Sequence, residues 1–111
     1  MMYEQGEILI VPFPFSDLSS IKQRPVLVLS KDIDNTSSND VITCGITSFL
    51  KDTKYSILID DNNLEKGQIP VKSRIKIDKL FTLDKNIIKK KLAKLNKKTF
   101  EKVRKEFFNL T

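Results

Sequence analysis

The chain contains no histidine in 111 residues. That absence removes Ser-His-Asp and Cys-His triads, a two-histidine ribonuclease mechanism, and the common histidine-based zinc sites. A single cysteine, Cys44, can neither close an internal disulfide nor build a Cys-rich zinc site within one chain, and it agrees with a reducing cytoplasm. No GxGxxG and no GxxxxGK[ST] occurs, so dinucleotide and P-loop sites have no support. The longest apolar stretch, Ile8 to Phe15, is too short to span a bilayer and includes two prolines. Met1 to Gly6 has no basic segment leading into an apolar run, so no signal peptide is expected. The stretch Asp32-Ile33-Asp34-Asn35-Thr36-Ser37 faintly resembles a calcium loop. However, Ser37 stands where the sharp-turn glycine belongs and Thr43 where the bidentate glutamate belongs, so it reads as a solvated loop and no metal site is expected.

What is present fits one ordered domain spanning residues 1–111, with 40% hydrophobic and 31% charged residues. The charge is unevenly distributed. Met1 to Glu65 carries 5 Lys/Arg against 10 Asp/Glu, a net of −5, while Lys66 to Thr111 carries 15 against 4, a net of +11. A basic C-terminal portion suits an anionic partner such as nucleic acid, an acidic protein or an anionic membrane surface, and equally suits a lysine-rich solvated surface.

The order of elements is strands first and helices last. Gly6 to Phe13 is apolar on both faces and predicts a strand buried on both sides. Pro14 to Ile21 reads as a polar loop, Pro25 to Ser30 as a second buried strand, and Lys31 to Asn39 as a turn-rich loop. Val41 to Thr47 predicts a third strand, with Ile42, Cys44 and Ile46 on a core face and Thr43, Gly45 and Thr47 on a small, polar, open face. Tyr55 to Ile59 reads as a fourth strand, followed by a turn at Asp60 to Asn63. In Ser73 to Leu80, Ile75 and Ile77 alternate with Arg74, Lys76 and Asp78, predicting a fifth strand with one buried and one wet, basic face. Asp84 can cap a helix striped by Ile88, Leu92 and Leu95, and Asn96 a second striped by Phe100, Val103, Phe107 and Leu110. The fold class is α+β, a small curled sheet or barrel with helices packed on one side.

The chemistry left open is that of arginine, hydroxyls and carboxylates. Arg24 precedes Pro25, which holds it extended, and its guanidinium is a permanently charged planar fork suited to phosphate. Its structural alternative is to pair with Asp17 or Glu7, or to satisfy loop carbonyls. Thr47 ends the third strand on the open face, where its hydroxyl can donate to a phosphate oxygen or simply be an ordinary strand-end residue. If the strand continues through Ser48, parity points that residue the other way, which makes Thr47 the better candidate.

Three segments together carry a resemblance. They are Gly6-Glu7-Ile8-Leu9-Ile10-Val11-Pro12-Phe13-Pro14-Phe15-Ser16-Asp17, then Gln23-Arg24-Pro25-Val26-Leu27-Val28-Leu29-Ser30, then Ile46-Thr47-Ser48. They resemble the MazF/PemK family of toxin–antitoxin toxins. Gly67, Lys72 to Leu80, and Leu83-Asp84-Lys85 continue the likeness, which covers nearly the whole chain. The resemblance implies a small SH3-like β-barrel of the CcdB/MazF type with C-terminal helices, usually homodimeric. It further implies a cytoplasmic, cofactor-free and metal-independent endoribonuclease acting on single-stranded RNA, often mRNA, through a 2′,3′-cyclic phosphate. The expected partners are that RNA and a cognate acidic antitoxin, with no membrane.

By the same resemblance, the active-site arginine falls on Arg24 and the threonine on Thr47. Around them Glu7, Ser16, Ser19, Lys22, Gln23, Ser48, Lys72, Arg74 and Lys76 are expected to contact RNA. Better-known members carry a glutamate shortly before the arginine. Here the matching position is near Ser19, and no acid lies between Leu18 and Gln23, so Asp17 is the substitute and Glu7 the runner-up. Two other readings keep the scaffold and drop the chemistry: a non-enzymatic, gyrase-poison-like toxin that binds a protein, and a basic nucleic-acid-binding module without turnover.

Overall fold

The apolar run that starts the chain forms β1 (Glu7–Pro14), and a ribbon returns along it as β2 (Ile21–Val28). The computed structural model describes residues 2–14 and 21–111. Beyond the ribbon lie α1 (Asp32–Ser37), β3 (Asp40–Thr47), β4 (Ser56–Ile59), β5 (Leu64–Gly67), β6 (Ser73–Asp84), β7 (Lys90–Leu95) and α2 (Lys97–Leu110). Among the described residues the seven strands form one antiparallel sheet in the order β4–β6–β3–β2–β1–β7–β5. The sheet curls into a half-barrel, and no described helix is long and apolar enough to cross a membrane.

The two-sided burial expected for β1 follows from a core on each face. Ile8, Leu27, Cys44, Ile46, Ile75 and Ile77 pack on one side with Val103 of α2, while Leu9, Val11, Val26, Val28, Val41 and Leu83 pack on the other with Tyr3. Ile75 and Ile77 are buried as their alternation indicated. Ile42 departs from its expected place in the core and is 48% exposed, whereas Thr43 is fully buried and its hydroxyl donates to the Phe81 carbonyl at 3.0 Å. With core on both faces, strand parity no longer separates inside from outside.

Several boundaries and one element type differ from the sequence reading. The second strand begins four residues earlier than Pro25, so Arg24 lies within a strand opposite Val11. The Lys31 to Asn39 stretch contains α1, pinned by the buried Asn35 side chain, which donates to the Tyr3 and Ser30 carbonyls at 3.0 Å each. β5 has no alternation to announce it. The largest correction concerns the helix expected after Asp84. Asp84 does cap, accepting from the Asn86 amide at 2.8 Å, but it caps only a single 3₁₀ turn, and residues 90–95 then form β7 between β1 and β5. Ala93 and Leu95 are buried there by a period of two that the helical stripe conceals; neighbouring strands on both sides decide between the two patterns. The second expected helix is α2. Asn96 caps it by accepting from the Thr99 amide at 2.8 Å, a contact worth about 1 kcal/mol.

Gly67 is required by both backbone and space. Its φ is +81°, and a Cβ there would lie 2.4 Å from the Leu92 carbonyl oxygen of β7. Gly67→Ala is therefore expected to lower stability by at least about 1–3 kcal/mol, read as a lower denaturant midpoint at unchanged slope. Cys44 is buried, and burial, with a smaller contribution from Asp78, pushes its thiol from 9.0 up to about 12. The folded state thus holds the proton to higher pH than the unfolded chain. Its contribution to stability is complete below about pH 9 and is lost as pH rises toward 12. A thiol reagent at pH 8 should spare Cys44 in the native protein and label it in denaturant, and Cys44→Ala should flatten the stability decline above pH 9.

Candidate functional site

Arg24 and Thr47 come together through strand register. The last β2–β3 pairs run Val28–Thr43, Leu27–Cys44 and Val26–Gly45. Extending that register by two residues sets Arg24 abreast of Thr47. Pro25 has no N–H with which to prolong the ladder, and the two strands separate there. On the other side of β3 the register with β6 jumps. Cys44 pairs with Leu80, yet Gly45 pairs with Lys76, so Ile77, Asp78 and Lys79 are extra residues on β6. A bulge of this kind bends the strand and re-aims its side chains. Here it brings Lys76, Lys79 and Phe81 around Gly45, whose missing Cβ would lie 3.6 Å from both Lys79 and Phe81.

The result is a cleft of about 570 Å³, lined by Arg24, Thr47, Lys51, Lys76 and Lys79 together with Phe49 and Phe81. Four cations line it, and no carboxylate does so among the described residues. Such a surface attracts anions at short range, and low-dielectric walls strengthen the attraction. The Thr47 hydroxyl oxygen accepts the Phe49 amide at 3.1 Å, so its position is fixed while its own proton can be donated into the cleft. The Lys76 ammonium donates to the Thr53 hydroxyl at 2.6 Å on the cleft wall.

The remaining sequence-derived candidates are dispersed. Asp17, Ser16 and Ser19 lie outside the described residues. Gln23 and Ser48 line a second hollow of about 250 Å³, which shares Arg24 and Pro25 with the cleft; β3 ends at Thr47, so strand parity does not set the direction of Ser48. Lys22 is exposed at the start of β2, and Lys72 is exposed in the turn before β6. Arg74 departs from the wet face expected for it. It is buried, donating to Ser56 Oγ at 3.1 Å and Asp52 Oδ1 at 3.3 Å, and so ties down the 48–55 loop. Glu7 is 2% exposed; it accepts the Glu4 amide at 2.6 Å and lies 3.4 Å from the Lys91 ammonium. Val11, the partner of Arg24, lies four positions beyond Glu7 along β1, a span of roughly 13 Å.

Phe49, Lys51, Lys79 and Phe81 were not singled out from sequence. Only the nearness of Phe49 to Thr47 was available as a signal. Lys79 and Phe81 reach the cleft through the β6 bulge, which no local pattern announces.

A family model described as PemK-like, MazF-like toxin of type II toxin–antitoxin system matches residues 4–110. Among solved structures, a mycobacterial endoribonuclease in complex with its cognate antitoxin superposes at a TM-score of 0.80 with 15% identity, covering 96% of this chain and 92% of that one. The MazE–MazF structure from Deinococcus radiodurans (Form III) gives 0.80 with 20% identity over 99% and 96%. The Mycobacterium tuberculosis toxin MazF-mt6 gives 0.76 with 17% identity over 93% of each chain. At these identities the likeness is one of fold. No curated protein sequence matches the chain.

Proposed function

The chain belongs to the PemK-like, MazF-like toxins of type II toxin–antitoxin systems, and on that premise we propose that it is an endoribonuclease cutting single-stranded RNA at short sequences without a metal ion. The observation that carries this reading is the convergence of Arg24 and Thr47 on one cationic cleft. RNA supplies its own nucleophile. The ribose 2′-oxygen attacks the adjacent phosphorus, the bond to the 5′-oxygen breaks, and the products are a 2′,3′-cyclic phosphate and a 5′-hydroxyl. No catalytic serine, cysteine or histidine is needed.

Negative charge grows on the equatorial phosphate oxygens as the pentavalent transition state forms. The Arg24 guanidinium and the Thr47 hydroxyl donate to those oxygens, and they stabilise the transition state more than the ground state. The amide of Phe49 holds the threonine oxygen in place, so little reorganisation is required at the moment of reaction. Lys51, Lys76 and Lys79 concentrate the polyanion at the cleft. Arginine keeps its proton too tightly to act as an unaided base. We assign removal of the 2′-hydroxyl proton to Asp17. Glu7 is a poor alternative, engaged with Lys91 and far along β1.

The structural neighbours solved with an antitoxin or as MazE–MazF suggest the partner. In this protein an antitoxin's acidic segment would occupy the same four-cation cleft and exclude RNA. The working assembly is a homodimer in the cytoplasm.

The test is incubation with single-stranded RNA of mixed sequence in EDTA, with analysis of the product ends. Wild type should leave 2′,3′-cyclic phosphates. Arg24→Ala should lose about 100-fold or more in kcat/KM, Thr47→Ala about 100-fold, and Thr47→Ser should retain much of the activity. Absence of cleavage by wild type, or equal cleavage by Arg24→Ala, would overturn the reading.

A further inference from the structure

We propose that the cleft holds one unstacked RNA base against Phe49 and Phe81, immediately beside the phosphate engaged by Arg24 and Thr47. The proposal rests on the ribonuclease reading of the same cleft and names what fills its apolar part. Phe49 is 69% exposed and Phe81 37% exposed, and both line the cleft. An exposed aromatic pair at a cationic site is an unusual use of apolar surface in water. Single-stranded RNA is characteristically held in this way, with bases turned out onto aromatic faces and phosphates met by lysine or arginine.

The backbone that carries Phe49 is held in place. Its amide donates to Thr47 Oγ1 at 3.1 Å, which sets the origin of the side chain two residues from the proposed catalytic hydroxyl. The far end of the same loop is tied to β6 through Asp52 and Ser56 on Arg74, and through Thr53 on Lys76. A ring presented on a loop anchored at both ends loses little freedom when a base stacks on it. Lys51 and Lys79 stand in the same lining and supply countercharge for the phosphates on either side of that base. A lining that combines aromatic rings with cations suits a nucleotide chain, in which each base is flanked by phosphates. Gly45 keeps the floor between β3 and β6 low enough to admit the ring edge. Stacking accepts every base to some degree, so the slot sets affinity and local geometry first, and sequence preference through stacking strength.

The chain contains no tryptophan, so F49W introduces a sole indole reporter at the slot. The probe is a short 2′-O-methyl RNA, which cannot be cut because its 2′-oxygen is blocked, compared with an abasic chain of the same length. The base-bearing strand should quench the F49W indole, and the abasic strand should not. F49A should weaken binding by between about 5- and 150-fold. Its dependence on log salt should keep the wild-type slope, while K79A should lower that slope by about 0.7. F108A, which changes a helix residue that is 63% exposed and outside the cleft lining, serves as the control and should bind as wild type does.

Wild-type affinity in F49A with an unquenched F49W indole would overturn the slot and, if wild type still cleaves RNA, leave the ribonuclease reading standing. Quenching and weakened binding in a protein that cuts no RNA would support the slot while removing that reading. A wild-type protein that binds no single-stranded RNA would overturn both.

Discussion

The register jump between β3 and β6 is the constraint on which the site depends. A strand running straight past β3 would pair Gly45 with the residue next to Leu80. Instead it pairs with Lys76, and three residues are expelled from the ladder. The backbone groups of β6 must still find partners, and the strand finds them by pairing its first half with both β3 and β4 and its second half with β3 alone. The fold thereby turns its longest strand into the wall of a cleft. Gly45, with no side chain, lies at the bend.

The electrostatics follow from that geometry. Gathering Arg24, Lys51, Lys76 and Lys79 around one space opposes folding through mutual repulsion, reduced by water and salt at the open side. The same repulsion is relieved when an anion enters, so the arrangement favours a charged ligand over an empty site. Several charges elsewhere are paired. Glu7 has Lys91, Lys94 has Glu4 and Glu65, and the buried Arg74 has Asp52 and the Ser56 hydroxyl. Within the cleft, Lys76 donates to the neutral hydroxyl of Thr53.

Much of the architecture was legible in the chain. The apolar runs around Leu9 and Leu27 gave two central strands, the Ile75–Ile77 alternation gave a third, and Asn96 with its stripe gave α2. The Arg24-Pro25 pair and the terminal Thr47 stood out because their chemistry is local: a fixed guanidinium and a strand-end hydroxyl. The segment after Asp84 was not legible, because Ile88, Leu92 and Leu95 satisfy a helical stripe while Ala93 and Leu95 satisfy a strand. Its lysines are compatible with either. Arg74 likewise looked like a surface cation until the 48–55 loop folded over it.

The amino-acid sequence by itself determined the buried strands around Leu9 and Leu27, the capped terminal helix, and a proline-restrained guanidinium and strand-end hydroxyl suited to a phosphate. Those properties depend on side-chain period, backbone restriction by proline and the chemistry of individual groups, all of which are local. Only the tertiary structure decided that β7 is a strand, that Glu7 is engaged with Lys91, and that Phe49, Lys79 and Phe81 share a wall with Arg24. These outcomes turn on hydrogen-bond partners distant in sequence. The sheet selects among local patterns of similar merit by satisfying the backbone of every strand at once.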